Sequence, residues 1–261
     1  MSKFQIQFVD KRAQKNMLSF LKSIPGEVVV IHSSLLNFGL PEGGIENLCN
    51  EIIESLGRNV TIIMPTFTFL IPENNTWDWH KTKSEMGAVT EFFRKEIADF
   101  RTLHPIHSVA ISGPEAKELS KSISSSSFGP NSIWKELSIR NDVCNISFGI
   151  GMVGGATFLH YVEEQAKVHY RSYVPINRKV LDKEGIDVKE DFTYFAKMER
   201  NGKFAENSWE QVSQDLKREK LVETIHLTPE FQVSLMNVGV TCRYVGEEIA
   251  KNSNYLGGFV E

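Results

Sequence analysis

Cysteine, long apolar runs and basic charge are all scarce in this 261-residue sequence. Its three cysteines, Cys49, Cys144 and Cys242, are widely spaced without a CxxC pair, which indicates reduced thiols in a cytosolic protein. No apolar run approaches the roughly 18–20 residues that span a bilayer, and the first residues lack the apolar segment of a signal peptide. A net charge of -4 argues against a nucleic-acid or anionic-membrane partner, which would need a basic face. We therefore expect a soluble, cytoplasmic protein.

Motifs of several common enzyme classes are also missing. No Walker A sequence and no GxGxxG follows a predicted strand, which disfavours nucleotide hydrolysis and dinucleotide redox chemistry. The absence of GxSxG disfavours the common α/β-hydrolase arrangement. HExxH and HxxEH are absent as well, so the sequence offers no standard zinc-binding helix.

Strands and helices alternate in the predicted pattern of the first two thirds of the chain. Residues 27–34 form a β-branched run that ends in polar residues, residues 43–57 carry apolar side chains at helical spacing, and residues 59–69 predict a second strand. Such a strand–helix–strand unit favours parallel pairing. With further strands at 107–113 and 143–151, we predict an α/β fold with a mainly parallel central sheet flanked by helices.

The pattern weakens from about residue 174, which predicts two portions. We expect an α/β core over residues 1–173 and a smaller C-terminal α+β portion over residues 174–261, packed on the core as one unit. Within the core, residues 84–99 predict a helix and residues 100–105 a loop. In the second portion the sequence predicts short strands, a helix over residues 208–227 and a C-terminal helical stretch.

Polar residues follow three of the predicted strands. They are His32, Ser33 and Ser34, then residues 65–68, then a glycine-rich turn at 149–151 that leads to His160. Because ligands of open α/β sheets collect beyond the carboxyl ends of the strands, we expect these groups to lie near one site.

His160 lies in the first turn of a predicted helix for which Thr157 is the candidate N-cap. The apolar stripe of this helix is formed by Phe158, Val162 and Ala166. His160, Glu163 and Glu164 fall on a different face, so we do not expect a packed core histidine. Three interpretations remain open: a solvent-exposed or capping residue, a general base held by Glu163, and a metal ligand.

The metal interpretation would combine His160 and Glu163 with His169, and it could add His104 and His107 of the HPIH sequence. His160 and His169 do not repeat one helical face cleanly. Proline after His104 favours extended backbone, which makes a tight chelate less natural. We therefore expect no bound metal.

Two further polar positions have an ordinary structural interpretation beside a functional one. Ser132 can cap the short helix that follows, while Gly129 and the backbone amides near it could meet an anion. Cys144 lies in an apolar strand and is interpreted as a core residue.

Six stretches in order resemble the successive blocks of the aminoglycoside 3-N-acetyltransferase family, a fold distinct from the GNAT superfamily. They are VVIHSSLLNFG, GGIENLCNEIIESLG with VTIIMPTFT, MGAVTEFFR, RTLHPIHSVAISGPEA, SFGPNSIWKEL, and GIG with TFLHYVEEQAKVHYR. Together they cover roughly residues 28–171. Each stretch is weak alone, and the shared order gives the resemblance its strength.

The resemblance implies transfer of an acetyl or related acyl group from coenzyme A to an amine of an amino sugar. His160 then matches the family's catalytic histidine and Glu163 the acidic residue of the same block. The residues implied to border the coenzyme are His32, Ser33, Ser34, Thr66, His104, His107, Ser108, Phe128, Gly129 and Ser132. One departure is Ile133, which stands where the family usually has proline.

The match becomes thin after Arg171, where the acceptor side of the family begins. Candidate acceptor-binding residues there are Arg171, Asp191 and Glu199. A polycationic aminoglycoside needs several carboxylates around it, yet this stretch also carries Lys197 and Arg200. A nucleotide-linked amino sugar is therefore favoured slightly over an aminoglycoside antibiotic, with roles in polysaccharide biosynthesis or antibiotic resistance respectively.

Three hypotheses result for the activity of this chain. The first is an acyl-CoA-dependent N-acyltransferase that transfers the group directly, with His160 as general base. The second is a metal-dependent hydrolase that uses His160, Glu163 and His169. The third is a family-like protein that binds CoA or a sugar without turnover. A homodimer is a reasonable expectation for a small cytoplasmic enzyme.

Overall fold

A seven-stranded mixed sheet forms the centre of the fold in the computed structural model, which describes residues 9–36, 38–70, 75–151 and 153–259. The helices are α1 (Lys11–Leu21), α2 (Gly44–Leu56), α3 (Ala88–Phe92), α4 (Ala116–Leu119), α5 (Ile133–Ser138), α6 (Leu159–Gln165), α7 (Trp209–Arg218) and α8 (Val238–Lys251). A π-helical turn at Phe93–Ile97 continues α3.

The strands, in chain order, are β1 (Val28–Ser33), β2 (Thr61–Pro65), β3 (Thr76–Asp78), β4 (Phe100–Arg101), β5 (Val109–Ser112), β6 (Val143–Phe148), β7 (Arg171–Pro175), β8 (Lys179–Leu181), β9 (Thr193–Lys197), β10 (Glu199–Arg200), β11 (Lys203–Phe204), β12 (Glu206–Asn207), β13 (Val222–His226), β14 (Gln232–Asn237) and β15 (Gly257–Gly258). The central sheet has the order β13-β14-β6-β1-β2-β5-β4. The predicted α/β class, with a central sheet flanked by helices, is confirmed.

Parallel pairing is confined to the three central strands of this sheet. β6, β1 and β2 run parallel, with Val30 opposite both Asn145 and Ile63. The flanking strands β14 and β13 on one side, and β5 and β4 on the other, pair antiparallel. The parallel centre corresponds to the predicted strand–helix–strand unit.

Both faces of the sheet are covered, which explains the uninterrupted apolar runs of the central strands. On one face, Val28 and Val30 pack with residues of α5, α6 and α8. On the other face, Val29 and Ile31 pack with residues of α1, α2 and α3. Cys144 is buried in this second cluster, as predicted for a core thiol. Helix α6 packs on the first of these two faces.

Two predicted elements end differently from expectation. The helix predicted over 208–227 ends at Arg218, because the chain reverses at Lys220 with a positive φ of 56°. Residues Val222–His226 then form β13, whose alternating side chains pair with β14. The loop predicted at 100–105 contains the short strand β4. Both errors come from tertiary pairing, which local periodicity does not report.

Residues beyond 173 contribute β13, β14 and α8 to the central sheet and its cover. The boundary proposed at residue 173 stays a prediction about domain organisation. Among the described residues, no helix has the length and hydrophobicity of a membrane span.

Candidate active site

A cavity of about 410 Å³ lies between the start of α6 and the β7–β9 strand pair. Its volume is that of a small-molecule site. Aromatic and basic side chains dominate its lining, which comprises Phe67, Phe69, His107, Phe128, Thr157, His160, Arg171, Tyr194, Ala196, Lys197, Phe204 and Asn207. Of the predicted site residues, the cavity thus brings together His107, Phe128, His160 and Arg171.

His160 is held at the cavity by the buried carboxylate of Glu163. The distance from Nδ1 to Glu163 Oε2 is 2.5 Å, and the His160 side chain is 27% exposed. Glu163 is fully buried and has two more partners: Tyr170 donates its hydroxyl to Oε1 at 2.9 Å, and Arg171 Nε lies 3.0 Å from Oε2. This set of contacts fixes the orientation of the imidazole ring.

The electrostatics of this cluster favour an ionised Glu163. Burial alone would raise the pKa of its carboxyl, but His160, Arg171 and the Tyr170 hydroxyl outweigh that effect and hold the pKa below its ordinary value. An ionised carboxylate accepts the proton on Nδ1 of His160. In the neutral ring, Nε2 is then the unprotonated nitrogen, and no described residue is hydrogen-bonded to it.

The local structure of α6 corrects three sequence-based expectations. The N-cap residue is Phe158, and Thr157 contributes its carbonyl as acceptor for the His160 N–H. Glu163 and Glu164 are buried, although the helical pattern placed them on a polar face, whereas Ala166 is exposed. A seven-residue helix is too short for its apolar stripe to decide which face is buried, because neighbouring strands and loops enclose it on several sides.

Glu164 supports the segment that carries Phe128. Its Oε2 accepts the Phe128 N–H at 3.2 Å, and an added Cβ at Gly129 would lie 3.5 Å from Oε1. Burial raises the pKa of the Glu164 carboxyl. Ser132 caps α5, because its side chain accepts the N–H of Lys135. This is the capping role predicted for it from the sequence. Phe128 alone of this block reaches the cavity.

His104 and His107 lie next to each other, and both are buried. Burial lowers the pKa of His104 to about 4, against a smaller opposing effect of the Thr193 carbonyl and with a still smaller lowering by Arg178. The pKa of His107 is held well below its ordinary value by burial, and by His104, His160 and Arg171. Both rings are therefore neutral near pH 7. Only His107 lines the cavity.

Thr66 and Ser108 lie in a buried network around Arg101, away from the cavity. Their hydroxyls are 2.9 Å apart, and Arg101 Nε lies 3.1 Å from Ser108 Oγ and 3.3 Å from Thr66 Oγ1. Arg101 also donates to the carbonyls of Trp79 and Thr82 and stacks 4.5 Å from the Trp77 ring. The structure thus gives Thr66 and Ser108 a part in holding a buried cation.

His32, Ser33 and Ser34 form the end of β1, outside the cavity lining. His32 is buried with Nε2 unpaired, and burial lowers its pKa to about 3. The partner strand β6 places Ser147 opposite His32, and Ser147 Oγ is also unpaired. Gly155 covers this pair where the chain approaches α6.

Gly155→Ala is expected to lower the free energy of unfolding by about 1–3 kcal/mol. An added Cβ would lie 2.0 Å from Ser147 Oγ and 3.2 Å from the Cβ of His32, so buried strand ends would have to move. Urea unfolding measures the change, with Gly151→Ala as the matched control because its added Cβ meets no atom within 4 Å. Equal stability of Gly155→Ala and wild type would contradict the close packing described here.

The candidate acceptor-binding residues divide between the cavity and the surface. Arg171 lines the cavity, whereas Asp191 and Glu199 are exposed. Glu199 pairs in register with Phe204, which lines the cavity. Sequence reasoning named Lys197 only for its charge and did not name Tyr194, and both residues line the cavity from β9.

The ligand set of the metal hypothesis does not come together. His169 is exposed, at the turn after α6. Over residues 9–36, 38–70, 75–151 and 153–259, the one group whose ligand atoms approach each other closely enough for a metal is Glu27, Glu115 and Asp142. Arg140 pairs with Glu115 and Asp142. The hydrolase alternative is therefore not favoured.

Comparison with known proteins shows one family. A model of the aminoglycoside 3-N-acetyltransferase family matches residues 30–239. Among solved structures, aminoglycoside acetyltransferase AAC(3)-Xa is similar with a TM-score of 0.77 and 16% identity, over 94% of this chain and 93% of that chain. AAC-VIa bound to sisomicin has a TM-score of 0.74 and 20% identity, over 91% and 96% of the two chains.

A third similar structure is AAC-IIIb in a binary complex with CoASH, with a TM-score of 0.73 and 13% identity over 94% of this chain and 97% of that chain. These likenesses extend over nearly the full length and show the fold. The family model itself spans most of the sequence, including all but the first residue of the blocks on which the resemblance rested. The chain therefore belongs to the aminoglycoside 3-N-acetyltransferase family and is an acetyltransferase.

Proposed function

We propose that this chain transfers the acetyl group of acetyl-CoA directly to an amine of an amino sugar, with His160 as general base. The observation that carries the proposal is the 2.5 Å contact between His160 Nδ1 and Glu163, which leaves Nε2 to the cavity. Glu163 orients the ring and stabilises the imidazolium that forms.

The proposed step needs a base because an amine attacks a thioester only through its free electron pair. The amine nitrogen forms a bond to the carbonyl carbon while His160 Nε2 takes one of its protons. The carbon–sulfur bond then breaks, and the thiolate of CoA takes the proton from His160. Amide and free thiol are the products, no covalent enzyme intermediate forms, and positioning in the ternary complex supplies much of the acceleration.

The cavity suits the neutral, largely apolar end of an acyl-CoA. Phe67, Phe69 and Phe128 present apolar surface beside His160. The residues proposed to border the coenzyme contribute Phe128 and His107 directly to this wall. The solved relative with CoASH supports the same co-substrate here.

The charge of the cavity supports an acceptor with an anionic group. Arg171 and Lys197 are paired in register on β7 and β9, and both line the cavity. The carboxylate paired with Arg171 is Glu163, which is fully buried against His160 and Arg171. A polycationic aminoglycoside would meet two cations on this wall. We therefore favour a nucleotide-linked amino sugar, and the sisomicin-bound relative makes an aminoglycoside the second candidate.

Free-thiol release from acetyl-CoA with two acceptor panels tests this choice. We expect turnover with nucleotide-linked amino sugars, and Lys197→Glu is expected to raise their KM about tenfold or more, because a charged contact is replaced by a repulsive one. Lys15→Glu on the exposed face of α1 is the matched control. Turnover with aminoglycosides alone, improved by Lys197→Glu, would assign the second candidate.

A further inference from the structure

His107 is the second imidazole of the cavity, and its environment differs from that of His160. Its ring centroid lies 4.7 Å from Phe67, 4.9 Å from Phe128 and 5.5 Å from Tyr194. The same Phe128 ring lies 5.4 Å from His160. Both imidazoles therefore flank one aromatic ring of the wall and line the same cavity.

A chain of hydrogen bonds behind the wall fixes the ring of His107. His104 Nδ1 accepts the backbone N–H groups of Ile106 and His107, at 3.2 and 2.9 Å. The proton of the neutral His104 ring is therefore on Nε2, which donates to the Thr193 carbonyl at 3.2 Å.

Ser127 Oγ lies 2.8 Å from His107 Nδ1, against 3.5 Å from the Thr193 carbonyl. We assign the Ser127 hydroxyl as donor over this shorter contact, which makes Nδ1 of His107 the acceptor. The proton of the neutral ring is then on Nε2. No described residue is hydrogen-bonded to Nε2, and the ring lines the cavity.

We infer that His107 is a catalytic residue of the acetyl transfer: its neutral imidazole donates the Nε2 proton as a hydrogen bond to the thioester carbonyl oxygen. Ser127 is a positioning residue that selects this tautomer. The inference rests on the proposed function, in which His160 is the base. As the amine attacks, the carbonyl electron pair moves onto oxygen, and His107 stabilises that charge without losing its proton.

The different environments of the two histidines thus suit them to different roles, His160 as the base and His107 as the hydrogen-bond donor. The carboxylate behind His160 favours a ring that accepts a proton, whereas the hydroxyl and the apolar surroundings behind His107 keep a neutral donor. A neutral imidazole suits this role because it holds its proton near pH 7 and adds no charge before the oxyanion forms.

Steady-state kinetics of four variants test the inference. His107→Leu removes the donor and is expected to lower kcat about 10²–10³-fold, with KM for acetyl-CoA nearly unchanged. His107→Gln keeps an N–H group and is expected to retain part of the rate. Ser127→Ala is expected to lower kcat about tenfold, and Ser127→Thr to restore it. His226→Gln, an exposed histidine of β13, is the control.

Nitrogen NMR of the wild-type histidines gives a readout independent of turnover. We expect His107 to remain in the Nε2–H tautomer from pH 8 down to pH 6, and Ser127→Ala to mix the two tautomers. An Nδ1–H tautomer in wild type would overturn the inference. So would a His107→Leu variant with raised KM for acetyl-CoA and unchanged kcat, since His107 would then only bind the co-substrate. Wild-type protein without thiol release on any amine would instead overturn the proposed function and, with it, this inference.

Discussion

His160→Ala is expected to lower kcat for acetyl transfer about 10²–10⁴-fold, the usual contribution of a positioned acid–base group. The variant should still bind acetyl-CoA, because the aromatic wall of the cavity does not depend on the imidazole. His160 is partly exposed, and its truncation removes one of the three partners of Glu163. The buried carboxylate stays paired, because Arg171 and Tyr170 still contact it. Thiol release with saturating substrates measures the loss, and calorimetric titration measures binding.

His226→Ala is the control, because it truncates an exposed histidine of β13 that lies outside the site. Equal turnover of His160→Ala and wild type would remove His160 from the chemistry. A wild-type protein that binds both substrates without turnover would support the non-catalytic hypothesis instead.

Glu163→Ala is expected to lower the free energy of unfolding by about 3–5 kcal/mol, the cost of removing one partner of a buried ion pair. It leaves Arg171, whose side chain is 6% exposed, without its carboxylate and leaves the Tyr170 hydroxyl without an acceptor. The His160 ring also loses its anchor, so kcat falls in the same variant. Denaturant unfolding and thiol release measure the two effects separately.

Glu163→Gln keeps the volume and tests the charge. Because the folded-state pKa of Glu163 lies below its unfolded value, its contribution to stability is present above the unfolded pKa and is lost as pH falls through the folded one. We expect the stability of Glu163→Gln to depend less steeply on acid pH than that of wild type. Glu54→Gln, an exposed residue of α2, is the control. Parallel curves for wild type and Glu163→Gln would contradict an ionised, paired Glu163.

Local patterns predicted the parallel centre of the sheet and the position of His160 because both depend on short-range signals. The β-branched run before His32 and the helical spacing after Gly43 are read within one element. The antiparallel pairing of β13 with β14 is a tertiary contact, which the local pattern does not report. The apolar pattern of Val222–His226 is also too weak to predict a strand there.

The same limit explains what was missed at the site. Glu163 and Glu164 look like a solvated pair in the sequence, and only the side chains from neighbouring segments make them buried. Tyr170 and Arg171 close over Glu163 from the turn and strand after α6. Thr66 and Ser108 matched a coenzyme block by position, yet the buried guanidinium of Arg101 engages both hydroxyls.

The antiparallel flank of the sheet has a consequence for synthesis of the chain on the ribosome. β6 takes β1 on one side and β14 on the other, although β14 follows it by more than eighty residues. At about 5–20 residues per second, the edge of β6 is without its partner for several seconds after it emerges. Its unpaired N–H and C=O groups are open to intermolecular pairing during that interval. Between completion of β6 and emergence of residue 237, the nascent chain thus exposes a strand edge that is prone to aggregation.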